Sequence, residues 1–401
     1  MIDKATDRIF SWDFIMVFIA AGMIRVSYQV QNTIMPLYMG QLGYSATIIG
    51  LGTTVCTIAS LALRPLLGGM LDKYGRRILV LTGTALFAIA TLLCGFWGSL
   101  VALLVLRALQ GIGFSLHTTA VNTMATDVLP ESRMAEGIGY LGLTGSVSSA
   151  IAPAIAMAFA AAAAYRSGFS VAFAAGLLAV FSLLLVKKPD VKASSQNNEG
   201  KQSHLSRLFE KKAIRPTIIM LILGACNAGA STFLAIYALG RGFTEAQLSV
   251  YFTVSAIATV LARLFGGRLS LRIGKHPSIL IATILSFVGY LLIPASGSQW
   301  VLWAAAALQG LSYGTIYPMM NAMAVTQSPP ERRGTAMATF LTGMDIGIGF
   351  GASLCGLIID TVGIDILFPM CAAVTVIVYV SCRTLLFPKA GSMIRRAEDP
   401  Q

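Results

Sequence analysis

The chain has 401 residues, 56% of them hydrophobic and only 11% charged, with a formal net charge of +12. A soluble domain carries about a quarter charged residues, so this composition excludes an ordinary water-soluble fold. The basic excess would suit a nucleic-acid binder, but its placement along the chain excludes that partner too.

Apolar residues come in twelve long blocks, roughly 14–37, 46–71, 78–97, 100–125, 136–160, 168–186, 216–239, 246–269, 278–296, 300–325, 335–359 and 366–387. Each is long enough to cross a bilayer as a helix. Hydrocarbon offers no hydrogen bonds, so spans of this kind are helical. A β-barrel would need shorter alternating segments, and none is visible. The opening "MIDKATDRIFSWDF" leads into a block too long for a secretory signal, with no small-residue cleavage site behind it, so the first block is expected to be a retained span. Asp13 and Glu136 fall at cytoplasmic helix starts, where an acid suits the helix dipole and no further role is expected.

With the N-terminus inside, Lys and Arg concentrate in the cytoplasmic segments, and only Arg166 and Arg241 fall outside. That asymmetry sets the orientation of a multi-pass protein of the cell membrane, with both termini cytoplasmic. The bases then face anionic lipid. The six cysteines lie in apolar blocks without CxxC or Cys/His pairing, so neither a disulfide framework nor a metal site is expected.

One polar segment is long, Lys187–Pro216, and reads as a cytoplasmic linker with a short surface helix near Leu205–Phe209. The expected organisation is a six-helix bundle over 1–186, a linker over 187–215 and a second six-helix bundle over 216–401. The halves repeat at a shift of about 199 residues. "LYMGQLGYS" (37–45) matches "IYALGRGFT" (236–244), placing Ser45 and Thr244 at helix N-caps. "LQGIGF" (109–114) matches "LQGLSY" (308–313), and "LPESR" (129–133) matches "PPERR" (329–333). Repeated halves around a central site are the plan of many transporters.

The decapeptide "GGMLDKYGRR" (68–77) interrupts the greasy chain between the second and third blocks, and a damaged copy, "GGRLSLRIGKH", returns at 266–276. It reads as a tight cytoplasmic turn in which Gly68, Gly69 and Gly75 allow close approach and positive φ. With "LRALQGIG" (106–113) and "GSVSSAIAPAIA" (145–156), this decapeptide resembles signatures of the major facilitator superfamily over nearly the whole chain. The third is a weakened antiporter signature, with Ala152 and Ala156 where that family has Gly, while Pro153 remains. The nearest branch looks like the twelve-span drug:proton antiporters and their metabolite-exporting relatives. The resemblance implies an all-α membrane fold, a rocking of two halves about a midplane site, and a gate in which Gly69, Asp72, Gly75, Arg76, Arg77 and Pro153 take part. Asp72 would act as a latch, and Ser270 in the copy would leave the second loop without one. Arg76 and Arg77 as mere topology markers stay open as the alternative.

Charges that the repeat does not share are the candidates for function. Arg25 aligns with Gly224, Arg107 with Ala306, and Asp345 with Gly145. A charge at mid-bilayer costs about 2.5–3.5 kcal/mol on insertion scales and usually faces a cavity or a partner. A buried pair that only fixes packing is the competing reading. Arg25, Gln29 and Asn32 share one helical face, as do Arg107, Phe114, Thr118 and Asn122, with Tyr313, Tyr317 and Asn321 as the matching stripe in the second half. Asn227 adds a polar group to the seventh span, and His117 borders the fourth-span stripe as a further proton-bearing candidate. Polar side chains of this kind also serve as interhelical glue.

These residues point to a proton-coupled transporter without a cofactor, expected as a monomer. Asp345, Arg107 and His117 would serve proton coupling. The facing side chains would bind a small amphiphilic, anionic or zwitterionic substrate, since two deep arginines outnumber one deep acid. Export by proton antiport is favoured; proton symport of an organic anion and multidrug efflux are the alternatives. An integral-membrane enzyme would need clustered His, Asp or Glu, and three scattered histidines with no HExxH or GxSxG argue against it.

Overall fold

The computed structural model describes residues 9–130, 133–187, 210–329 and 332–386, and no strand occurs among them. Twelve long helices follow in chain order: α1 (Trp12–Gln41), α2 (Ala46–Tyr74), α3 (Arg76–Cys94), α4 (Leu100–Val128), α5 (Met134–Ala161), α6 (Tyr165–Leu184), α7 (Ile214–Gly240), α8 (Glu245–Ile273), α9 (Lys275–Leu292), α10 (Gln299–Thr326), α11 (Arg333–Val362) and α12 (Leu367–Leu386). Each expected block holds one of them. Eleven are long and apolar enough to cross a membrane. The exception, α10, is long enough, but Gln309, Ser312, Tyr313, Tyr317 and Asn321 dilute its apolar content.

Local chemistry fixes the helix ends. Ser11 and Ser45 accept hydrogen bonds from Phe14 N and Ile48 N as N-caps. Thr244 and Gln247 form a reciprocal capping box, at 2.9 and 3.3 Å, so both predicted caps are in place. The decapeptide holds the tight turn expected, but most of it is helix. α2 runs on through Tyr74, and the break is confined to Gly75 at φ +83°, whose N–H closes on Leu71 O. Gly274 repeats it at φ +92°. A Cβ on Gly69 would meet nothing within 4 Å, so no close approach requires glycine there. One left-handed residue suffices to reverse the chain.

The chain divides into two compact units, the first combining α1–α6 with Thr232–Ala256, the second holding the remainder of α7 and α8 with α9–α12. In the first, α1 packs on α5 and α6, α3 on α4 and α6, and α2 on α4; in the second, α9 packs on α10 and α12. Lipid tails are as apolar as leucine, so contact, not water exclusion, holds such helices together. Glycine makes the contact. A Cβ on Gly111 would drive into Cys56 O, and one on Gly347 into Leu221 O.

Glu210–Ala213 sit at the end of the expected linker but are packed: buried Glu210 reaches Arg332 at 3.0 Å and its N–H donates to Thr339 Oγ1. The expected surface helix at 205–209 lies outside the described residues. The acids at helix starts do more than face a dipole. Asp13 accepts the Lys187 N–H at 2.7 Å, tying α1 to the end of α6, and Glu136 pairs with Arg133 at 2.8 Å. The five described cysteines, Cys56, Cys94, Cys226, Cys355 and Cys371, are free and buried.

Candidate functional site

The repeated "LQG" motifs explain themselves first. Gln110 on α4 donates to Thr91 Oγ1 and to Cys94 Sγ on α3. Gln309 on α10 does the same service to α9, exchanging bonds with Ser286. The glutamine is a stitch between paired helices, needed in both halves.

Arg107 has no such counterpart, and its side chain reaches three helices. Only 3% exposed, it donates from Nη1 to Gln31 Oε1 at 2.9 Å, Asn32 Oδ1 at 3.2 Å and Gln110 Oε1 at 3.3 Å. Its Nε donates to Gly52 O at 3.2 Å, and Nη2 reaches Thr53 Oγ1 at 3.5 Å. One guanidinium therefore joins α1, α2 and α4 through neutral acceptors. Gly111 one turn on and Ser115 two turns on continue the same seam, the latter bonded to Ser60 O.

Arg25 is half-buried on α1 against α5; a Cβ on Gly145 would come within 3.2 Å of its Nη1. In the second unit Gly224 stands where Arg25 does and Met344 where Gly145 does, and a Cβ on Gly224 would come within 3.4 Å of Met344 O. Nearby Gln29 donates to Ser149 Oγ at 3.1 Å. Ser148 bonds Gly22 O while Gly347 abuts Leu221 O, which fixes the α5/α11 register at 199 residues. Asp345 therefore matches Ser146, not Gly145 as the loop motifs suggested; the deep acid remains unshared.

The fourth-span stripe does not act as one surface. Arg107 and Gly111 are packed on α2. Phe114 stacks on Tyr28 of α1 at 4.2 Å and 16°, half-buried Thr118 bonds its own helix at Phe114 O, and Asn122 is exposed. His117 points away into the α3–α4 seam, 1% exposed. The Thr84 hydroxyl gives its proton to Val80 O, so it accepts from His117 Nδ1, 2.7 Å away. Nε2 is then the lone-pair nitrogen, buried without a hydrogen-bond partner.

In the second unit Tyr313 and Tyr317 stack at 6.0 Å and 24°, and Tyr317 also touches Phe340. Half-buried Asp345 stands within electrostatic range of Tyr313. Asn227 and Asn321 are half-buried on α7 and α10. Of the gate candidates, Pro153 is buried within α5. Arg76 pairs with Asp127 of α4 at 3.0 Å, and Arg77 donates to Leu184 O of α6 at 3.1 Å, so both bases tie α3 to neighbouring helix ends. The side chains of Asp72 and Ser270 lie outside the described residues.

Gln31, Gln110, Thr53 and Arg263 belong to these clusters and are absent from the sequence-based candidates. Gln31 falls off the Arg25–Gln29–Asn32 face by one position. Gln110 and Arg263 recur or have a counterpart in the other half, Gln309 and Arg64, so a search for unshared residues passes over them.

The sequence model of the Major Facilitator Superfamily matches residues 17–252 and 241–398. The chain belongs to that superfamily. Among curated relatives of this facilitator is the staphylopine export protein of Staphylococcus aureus (strain Mu50 / ATCC 700699), 23% identical over 92% of this chain and 95% of that one. Multidrug resistance protein 1 of Bacillus subtilis (strain 168) is 24% identical over 64% of this chain and 70% of its own. Among solved structures, the nucleoside transporter NupG superposes with a TM-score of 0.76 at 15% identity, over 94% of this chain and 99% of that one. A bacterial homologue of the human lysosomal transporter Spinster, inward-facing and occupied, gives 0.73 at 16% identity, over 93% and 97%. The chain is thus a multi-pass membrane transporter of the facilitator fold, and the likeness to solved structures speaks for the fold alone.

Proposed function

We propose that this facilitator is a proton-coupled secondary transporter that exports a small amphiphilic, anionic or zwitterionic compound by proton antiport and alternating access. It works as a monomer in the cytoplasmic membrane, with both termini inside and the two six-helix halves joined by the 187–215 segment. The observation that carries the reading is the imbalance of deep charge. Arg25 and Arg107 in the first half answer Asp345 in the second, and none of the three recurs in the other half. The architecture needs none of these charges twice: the cost of Arg107, a few kcal/mol at mid-bilayer, is offset by its bonds to α1 and α2, and that of Arg25 and Asp345 by the task. Two cations favour a substrate with a carboxylate. An exporter of staphylopine among the relatives supports both the direction and an organic substrate.

Asp345 is the proton carrier in this scheme, since it alone is deep and acidic. Each inward proton supplies about 2.3 kcal/mol per 100 mV, plus the pH gradient. The substrate-binding candidates are Arg25, Gln29 and Asn32 in the first half, and Tyr313, Tyr317 and Asn321 in the second. Arg107 holds α1 and α2 in register around the substrate.

The test is counterflow into proteoliposomes over staphylopine, simple organic anions and dye-like cations, with a pH-sensitive dye inside. Saturable movement of staphylopine or the anions, coupled to opposite proton flux, is expected. Proton flux in the same direction as substrate reverses the mechanism to symport. The stacked Tyr28–Phe114 pair and the relation to a multidrug resistance protein favour broad efflux as a second reading; movement of the cations alone establishes it.

A further inference from the structure

Arg263 is a charge within the α8 span Glu245–Gly266, in the otherwise apolar run "LARLFGG". A basic residue within a span ordinarily snorkels to the headgroups. Arg263 does otherwise. It is exposed, yet its guanidinium lies 6.0 Å over the ring of Tyr317. Tyr317 is nine residues before the end of α10 at Thr326, about 13 Å of helix rise. Arg263 is itself ten residues before the end of α8 at Ile273, so the guanidinium stays about level with its own backbone. The seam beneath it is tight: Thr259 bonds Gly310 O at 3.2 Å, and Ala262 packs on Gly314. That seam sets where the Arg263 stem emerges.

Around the guanidinium the second unit assembles three kinds of chemistry. Tyr317 and Tyr313 offer a continuous aromatic face. Tyr313 lies within electrostatic range of both Arg263 and Asp345. A guanidinium held at a ring keeps its planar fork of N–H donors, the group that grips a carboxylate through two parallel bonds. The repeat gives a control. Arg64 is the equivalent of Arg263, but the position matching Tyr317 is Thr118, which has no ring, and the position matching Asp345 is Ser146.

We propose that Arg263, with Tyr313, Tyr317 and Asp345, forms a subsite for an α-amino-acid-type headgroup, the carboxylate on Arg263 and the ammonium on Asp345. This rests on the reading of the chain as an exporter of zwitterions and deepens it by assigning the headgroup. The apolar body of the ligand lies on the tyrosine pair, where an aromatic contact contributes about 0.5–1.5 kcal/mol beyond burial.

Purified full-length protein is titrated with phenylalanine, phenylalaninamide (no carboxylate) and N-acetylphenylalanine (no ammonium) by calorimetry and by thermal shift. Wild type is expected to prefer phenylalanine at least tenfold over either analogue. Arg263→Gln lowers phenylalanine affinity at least tenfold and leaves the amide unchanged, so the preference between the two disappears. A residue that merely supports the fold would weaken both probes alike. Arg64→Gln keeps the preference. If Arg263→Gln fails to fold, Arg263→Lys carries the test: its ammonium cannot fork, and the preference falls at least threefold. Wild type without a preference for the carboxylate, or an Arg263 variant that retains it, overturns the assignment. The exporter reading fails on a different result, absence of proton-driven flux in vesicles, so the two failures are told apart.

Discussion

Replacing Arg107 by Ala removes the donor that four acceptors share at 3.3 Å or less: Gln31 Oε1, Asn32 Oδ1, Gly52 O and Gln110 Oε1. Hydrogen bonds between membrane helices average about 0.6 kcal/mol each in double-mutant cycles. Four come to about 2.4 kcal/mol, and a charged donor roughly doubles that. A loss of about 2–5 kcal/mol in unfolding free energy is therefore expected, read by reversible denaturation in mixed micelles. Arg107→Lys keeps the charge but offers one compact ammonium in place of a fork, and should lose about half as much. Combining Arg107→Ala with Gln31→Ala should cost less than the two single changes added, because both delete the same 2.9 Å bond. The reasoning is refuted if Arg107→Ala unfolds within about 0.5 kcal/mol of wild type, or if the two changes are additive. Either result would mean that the arginine is not what ties α1 and α2 to α4.

Three further outcomes follow from the glycine seams and turns. Gly111→Ala collides with Cys56 O and should cost about 1–3 kcal/mol, whereas Gly142→Ala, with nothing within 4 Å, should be neutral or slightly stabilising in the same melt. Gly145→Met copies the second unit's pairing into the first and displaces Arg25; it should destabilise by a similar amount, and adding Arg25→Gly should recover most of the loss. Gly75→Ala forces a Cβ into φ +83° and should cost about 1–2 kcal/mol, while the same change at Gly69, inside α2, should not.

The fold was legible because the bilayer imposes long apolar runs, and the repeat could be checked against itself. All twelve blocks correspond to helices, and Ser45 and Thr244 cap where the motif placed them. The decapeptide misled in part because its three glycines share one turn in sequence, when only Gly75 leaves the helix. The loop motifs "LPESR" and "PPERR" misaligned α11 by one residue, since register within the bundle follows the Gly22–Ser148 and Leu221–Gly347 contacts, which no loop reports. The fourth-span stripe failed for a related reason: helical phase groups Arg107 with Asn122, but α2 covers the first and leaves the second exposed. Arg263 and Gln110 stayed hidden because each has a counterpart in the other half. Sharing a residue type is not sharing its surroundings, as Arg64 beside Thr118 and Arg263 over Tyr317 illustrate.

Proton flux through the Asp345→Asn variant tests the coupling most directly. Vesicles holding a pH-sensitive dye receive the transported zwitterion under an imposed gradient. Wild type should dissipate the gradient on substrate addition, and the asparagine variant should leave the dye signal flat even at substrate concentrations well above those that saturate wild type. A variant that moves protons at the wild-type rate contradicts the assignment of Asp345 and, with it, the antiport scheme.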